Sequence, residues 1–142
     1  MGTITGLTAE RMLEIEAQSV HQASVDVTGT VLALAAGDGA LGTLPLGKAY
    51  RLDKLVVDTP CRLRLYVDSA HRSADADRPR NEDPEGDHGC IAEIFATPDL
   101  LSMLLLPMPH GYVASGTTYF SIVNDGDTGD INFTFTEHVL ET

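Results

Sequence analysis

Two hydrophobic periods divide this chain. Between Thr8 and Val20 apolar residues recur at helical spacing: at about 100° per residue, Ala9, Met12, Leu13, Ala17 and Val20 share one broad face, with Ile15 at its edge. Glu10, Arg11, Glu14 and Gln18 fall opposite, and Glu16 intrudes on the apolar side. Thr8 is placed to cap this helix, Glu10 sits in its first turn where the helix dipole favours an acid, and Leu7 with Met12 makes a hydrophobic staple. A helix of about 13 residues is marginal alone in water, so it must pack on something. Its apolar face either lies on the β-domain that follows or meets its own copies or another protein; on the second reading residues 1–22 are an anchoring or oligomerisation helix. Leu7, Met12, Leu13, Ile15 and Val20 form its expected assembly interface.

From residue 23 the period becomes two. Ser24–Thr28 alternates, with Val25 and Val27 on one side, and Thr30–Ala35 is more continuously apolar. The turn signal Gly37-Asp38-Gly39-Ala40 follows. Leu44-Pro45-Leu46 is broken by its proline and predicts an edge strand or loop. Ala49–Val57 predicts a strand, and Asp58-Thr59-Pro60 a turn. Cys61–Val67 alternates most cleanly: Cys61, Leu63, Leu65 and Val67 face a core, while Arg62, Arg64 and Tyr66 face water, as in antiparallel sheet. Later strands are expected at Cys90–Ala96, Thr117–Val123 and Ile131–Thr136. Leu100–Leu106 is ambiguous between a helical turn and a buried strand. Asn124–Asp130 has the composition of a hairpin loop. The expected fold is mainly β: an antiparallel β-sandwich or jelly roll over residues 23–142, preceded by one N-terminal amphipathic helix.

Between the strands, Asp68–Gly89 breaks the pattern. Ser69 is a candidate cap for a short helical turn through Asp77, and a charged run with two prolines follows. A structureless connection this long is unusual in a small domain unless it has a job. Its acids, with His71 and His88, raise a mixed nitrogen and oxygen metal site; the simpler reading pairs them with Arg72, Arg78 and Arg80 or with water. The acidic turn Asp125–Asp130 invites calcium. Its register departs from a calcium loop, however, with Gly129 where a third ligand belongs, and a solvated turn is the expectation. No metal and no cofactor is expected.

Charge narrows the partners. The chain has 142 residues with 9 Lys plus Arg against 21 Asp plus Glu, a formal charge of −12. Neither nucleic acid nor an anionic membrane suits such a surface. No apolar run reaches the roughly 18 residues of a membrane span, and Met1–Leu13 lacks the pattern of a secretory signal. Cys61 and Cys90 match no zinc spacing and are expected to be buried thiols, bridged only if their strands lie side by side. No catalytic residue is expected. Ser115 lacks a nucleophile elbow, and His110 and His138 sit in no recognisable triad context.

The segment Ile4-Thr5-Gly6-Leu7-Thr8-Ala9-Glu10-Arg11-Met12-Leu13-Glu14-Ile15-Glu16 resembles the N-terminal segment of minor tail and tail-fibre proteins of tailed bacteriophages. The body is similar to small phage virion proteins with a sandwich domain. Cys61–Tyr66, the Ala-, Asp- and Arg-rich turn up to Arg78-Pro79, Gly86-Asp87-His88-Gly89, Tyr119–Asn124 and Ile131–Thr136 carry that likeness. The resemblance implies a virion structural protein and no enzyme. It implies assembly in a host cytoplasm, other virion proteins as partners, a homo-oligomer such as a trimer, and a host cell-surface glycan as a further contact. A capsid decoration protein is the alternative within that class. A carbohydrate-binding or glycan-hydrolysing domain is the alternative outside it.

Overall fold

A strand with one apolar face needs a second sheet to cover it, and the described residues supply nine strands. The computed structural model describes residues 24–141. The expected N-terminal helix, with Leu7, Met12, Leu13, Ile15 and Val20, lies outside the described residues. The strands are β1 (Ser24–Leu34), β2 (Gly39–Leu44), β3 (Ala49–Val57), β4 (Cys61–Tyr66), β5 (Cys90–Ala96), β6 (Ser102–Leu104), β7 (His110–Tyr112), β8 (Thr118–Asn124) and β9 (Gly129–Glu141). One short helix, α1 (Ser69–Ala74), lies between β4 and β5. All pairings between named strands are antiparallel.

The chain is mainly β, with two sheets sharing one core. The first sheet runs β1-β9-β3-β6, with β7 also on β3; the second runs β2-β8-β4-β5. Leu52, Leu55, Phe133 and Phe135 from the first sheet meet Leu63, Leu65, Phe120 and Ile122 from the second. Phe133 stands edge-on to both Phe120 and Phe135, with centroids 5.2 and 6.1 Å away, the arrangement that ring quadrupoles favour. The two expected segments at 24–35 form one strand, β1, bent by a bulge between Val31 and Leu34 where Ala33 takes a positive φ of 49°. Pro45 ends β2 and Leu46 turns inward to 2 % exposure. The ambiguous run 100–106 yields the edge strand β6, followed by buried Leu105.

One expectation is corrected by pairing. The acidic turn after β8 is not a hairpin loop, because β8 and β9 belong to different sheets. It is a corner, and Asn124 builds it. That fully buried side chain donates from Nδ2 to the carbonyls of Leu34 (2.9 Å) and Asp127 (3.0 Å), and its Oδ1 accepts from Gly126 N–H (2.8 Å). The β1–β2 corner is tied to it by Gly37 N–H to the Asn124 carbonyl, 2.7 Å. The β3–β4 corner is tied by Asp125 N–H to the Pro60 carbonyl, 2.9 Å. Turn composition is the same for hairpins and corners, so the distinction was invisible without the pairing.

Three glycines on edge strands each face an aromatic residue directly across the ladder: Gly29 and Phe133, Gly42 and Phe120, Gly111 and Tyr50. At each, an added Cβ would fall inside the ring. The missing side chain is the space in which the ring lies, and the ring in turn covers the glycine. Gly42→Val is expected to cost about 2 kcal/mol by overpacking, seen as a lower urea midpoint at unchanged slope. Gly129→Ala, with nothing within 4 Å of its Cβ position, is the control and should leave the midpoint in place.

Candidate functional site

The connection between β4 and β5 is the candidate site, and its position follows from alternation in β4. Arg62, Arg64 and Tyr66 do point away from the core, as their spacing predicts. Arg64 and Tyr66 are nevertheless not in water: each is 1 % exposed, because residues 68–89 fold back over the outer face of the second sheet. The expected wet face is thus wet only at Arg62.

What holds this cover is a network of opposite charges. Arg64 Nε is paired with Glu93 across the β4–β5 ladder, and its Nη2 donates to the Arg78 carbonyl at 3.0 Å. Arg78 grips Asp75 with both ends of its fork, Nε–Oδ1 2.8 Å and Nη2–Oδ2 2.9 Å, and reaches Glu93 Oε1 at 3.1 Å. Tyr66 Oη donates to Asp75 Oδ2 at 2.6 Å. Burial alone would raise the Asp75 carboxyl; the hydrogen bonds from Arg78 and Tyr66 outweigh it and hold the group below its ordinary range. Burial and the Asp75 contact push Tyr66 up to about 12. Arg80 is paired with Asp125, which joins the cover to the β8–β9 corner. The expected pairing of acids in this stretch with arginines therefore holds for Asp75 with Arg78, and Arg64 joins from the sheet.

At the other end sits a histidine clasp. Asp68, and not Ser69, caps α1: its Oδ1 accepts from His71 N–H at 2.7 Å. The same oxygen lies 2.7 Å from His71 Nδ1, and Asp87 Oδ1 lies 3.6 Å from Nε2. Gly89, with φ +62°, packs its backbone on the imidazole, where a Cβ would collide. His71 so links the start of the connection to its finish. The hydrogen bond to Asp68 is the main cause that raises the His71 pKa above its ordinary 6.5. The folded state then holds the proton more tightly than the unfolded chain. Stabilisation from the clasp is therefore full below the ordinary imidazole value and is lost as pH rises through the raised one. Urea midpoints measured from mildly acid to mildly alkaline pH should fall across that window, and His71→Gln should flatten the fall.

The other expected residues are dispersed. Cys61 pairs with Ala96 and Cys90 with Tyr66, so the strands do lie side by side while the thiols sit at opposite ends of the ladder, both free. Burial pushes Cys61 up to about 12 and Cys90 up to about 11, far from a reactive thiolate. His88 Nδ1 accepts from Cys90 N–H at 2.9 Å, and His110 lies in β7. Among the described residues no three or more His, Cys, Asp or Glu side chains are grouped to hold a metal ion. In the acidic corner, Asp130 Oδ1 accepts from Ala33 N–H (2.8 Å) and Thr128 Oγ1 from Ala36 N–H (3.0 Å), so these oxygens serve the corner itself.

Two surfaces beside the cover stand out. Between β5 and β6 the two sheets leave an apolar groove of about 420 Å³, lined by Ile94, Phe95, Met103, Leu104 and Leu106. On the outer face of the second sheet, beside α1, lies a cleft lined by Arg62 and Arg72. The alternating Arg62 and Arg64 of β4 were the available sequence signal for this face; its partner Glu93 comes from across the ladder, which one-dimensional spacing does not reveal. Compared with known proteins, the chain matches no family model, no curated protein and no solved structure.

Proposed function

We propose that this chain is a structural component of a tailed phage particle, a minor tail or tail-fibre-associated protein whose β-body faces outward and performs no reaction. Strand order carries this reading. The sheets β1-β9-β3-β6 and β2-β8-β4-β5 are nested so that β1 with β2, β8 with β9, β3 with β4 and β5 with β6 are consecutive in the chain and joined by corners between the sheets. We read this nesting as the winding of a jelly roll, an architecture used by viral capsid and lectin domains. The N-terminal likeness to phage tail proteins adds the particle, and the apolar residues Leu7, Met12, Leu13, Ile15 and Val20 supply a contact to neighbouring copies. A surface of net charge −12 keeps many displayed copies from clumping. Fold alone does not fix function, so location is the test. Peptides of this chain should be recovered, in fixed ratio, from the tails of purified particles. Recovery from separated heads would replace the tail role with that of a capsid decoration protein. Absence from both would overturn the reading.

A further inference from the structure

Five of the nine Lys and Arg residues, Arg62, Arg64, Arg72, Arg78 and Arg80, gather on one face of a chain that carries −12 overall. Three of them are neutralised there: Arg64 by Glu93, Arg78 by Asp75 and Arg80 by Asp125. Arg62 and Arg72 have no carboxylate partner among the described residues. Arg72 leans over the Tyr119 ring at 5.3 Å, and its Nη1 donates to the carbonyls of Gly42 (3.0 Å) and Phe120 (3.3 Å). Nε of Arg62 and Nε of Arg72 are both buried without an acceptor. A buried donor left unmade costs about 1–3 kcal/mol, more when the group is charged. Both arginines line one cleft.

That cleft measures about 260 Å³. Gly39, Ser121 and Val123 lie on neighbouring strands of its floor, Arg62 pairs with Val123, and Leu41 and Ala76 supply apolar wall. Gly39 leaves the floor open. Burial and the like charges of Arg64 and Arg80 make the Arg62 guanidinium easier to deprotonate than usual, and the opposing pull of Glu93 gives its positive charge only partial compensation. An acid entering the cleft would supply the rest. The volume holds one small unit and not a chain of them. Two guanidinium groups, with Arg72 Nη1 already held by carbonyls, can serve the two oxygens of a carboxylate, whereas a phosphate would call for further donors, of which the lining offers Ser121 alone.

We infer that the cleft between Arg62 and Arg72 binds a single small carboxylate, its charged end on the two guanidinium groups and its less polar part on Leu41 and Val123. This holds for the isolated chain and does not depend on the particle to which it belongs. The probes are galacturonate, galactose and inorganic phosphate, each titrated into the full chain while amide and arginine Nε–H resonances are followed by NMR. Galacturonate should shift the Nε–H signals of Arg62 and Arg72 together with the amides of Leu41 and Val123, and saturate in the millimolar range. Galactose should leave them in place, and phosphate should bind more weakly than galacturonate. Arg62→Gln should weaken galacturonate about tenfold, the loss of one charge-assisted fork. Arg72→Lys, which keeps charge without the fork, should also weaken it, and Arg51→Gln on the other sheet should not. Absence of any shift from galacturonate at tens of millimolar overturns the inference, as does equal binding of galactose or tighter binding of phosphate. Should Arg62→Gln fail to fold, the resonances of the unaltered protein still decide.

Discussion

Arg64→Ala is expected to destabilise the protein by about 3–5 kcal/mol, the range for removing one member of a buried ion pair. Truncation leaves Glu93 with Arg78 alone, leaves the Arg78 carbonyl without its donor and takes the main post from beneath the cover at 68–89. Little water can enter to compensate, since Arg64 is 1 % exposed. Arg62 behaves differently: Arg62→Ala should cost less than about 1 kcal/mol, because no ion pair is broken and a buried unmet donor is removed. Replacing Arg64 and Glu93 together by Met and Leu should recover much of the loss, since both charges leave and Arg78 retains Asp75. Urea unfolding of Arg64→Met, Glu93→Leu and the double closes the cycle. Equal losses for Arg64→Ala and Arg62→Ala would contradict the role given to Arg64.

The second large loss is expected at Asn124. Asn124→Ala removes three hydrogen bonds at once and leaves the carbonyls of Leu34 and Asp127 and the N–H of Gly126 without their partner. At about 1 kcal/mol or more for each bond, a loss of about 2–4 kcal/mol follows. Asn124→Asp is no remedy. It keeps the oxygen that accepts from Gly126 but sets a second oxygen against two carbonyls, so it should be as damaging at neutral pH and less so in acid, where protonation restores a donor. Thermal unfolding across pH separates the two variants. A neutral Asn124→Ala would mean that backbone bonds alone, such as Gly37 N–H to the Asn124 carbonyl, hold the corners together.

How far the residues announce this fold depends on whether a feature is local. Alternation is local: in β4 it places Leu63 and Leu65 inward, where they are, and Phe120, Ile122, Phe133 and Phe135 of β8 and β9 follow the same period of two. β2 was not legible: Gly39 and Ala40 read as part of a turn, yet they open the strand Gly39–Leu44, and Pro45 lies just beyond its end. Pairing is not local. Nothing in 124–130 distinguishes a turn within one sheet from a corner between two, and nothing in Arg64 reveals that a later segment will cover it. Asp68 could have been chosen over Ser69 as the α1 cap, since either residue can accept from the first turn. The candidate site was visible as an excess of charge at 68–89, but its geometry was not: it rests on Glu93 from β5 and on Asp75 and Arg78 folding back. Arg62 and Arg72 gave no signal as a pair, being ten positions apart and joined only when α1 lies across β8.

Amide and guanidinium hydrogen exchange addresses the folded cover most directly, because the clasp, the charge network and the arginine cleft all require it. Asp75 N–H, bonded to the His71 carbonyl at 3.0 Å, and Val67 N–H, bonded to the Gly89 carbonyl at 3.0 Å, should exchange nearly as slowly as amides within β4. Arg64 Nε–H should be protected with them and released by Glu93→Gln. Exchange of residues 68–89 at the rate of a free peptide, with Arg64 Nε–H lost at once, would mean that the outer face of the second sheet lies open to water and that no cleft stands between Arg62 and Arg72.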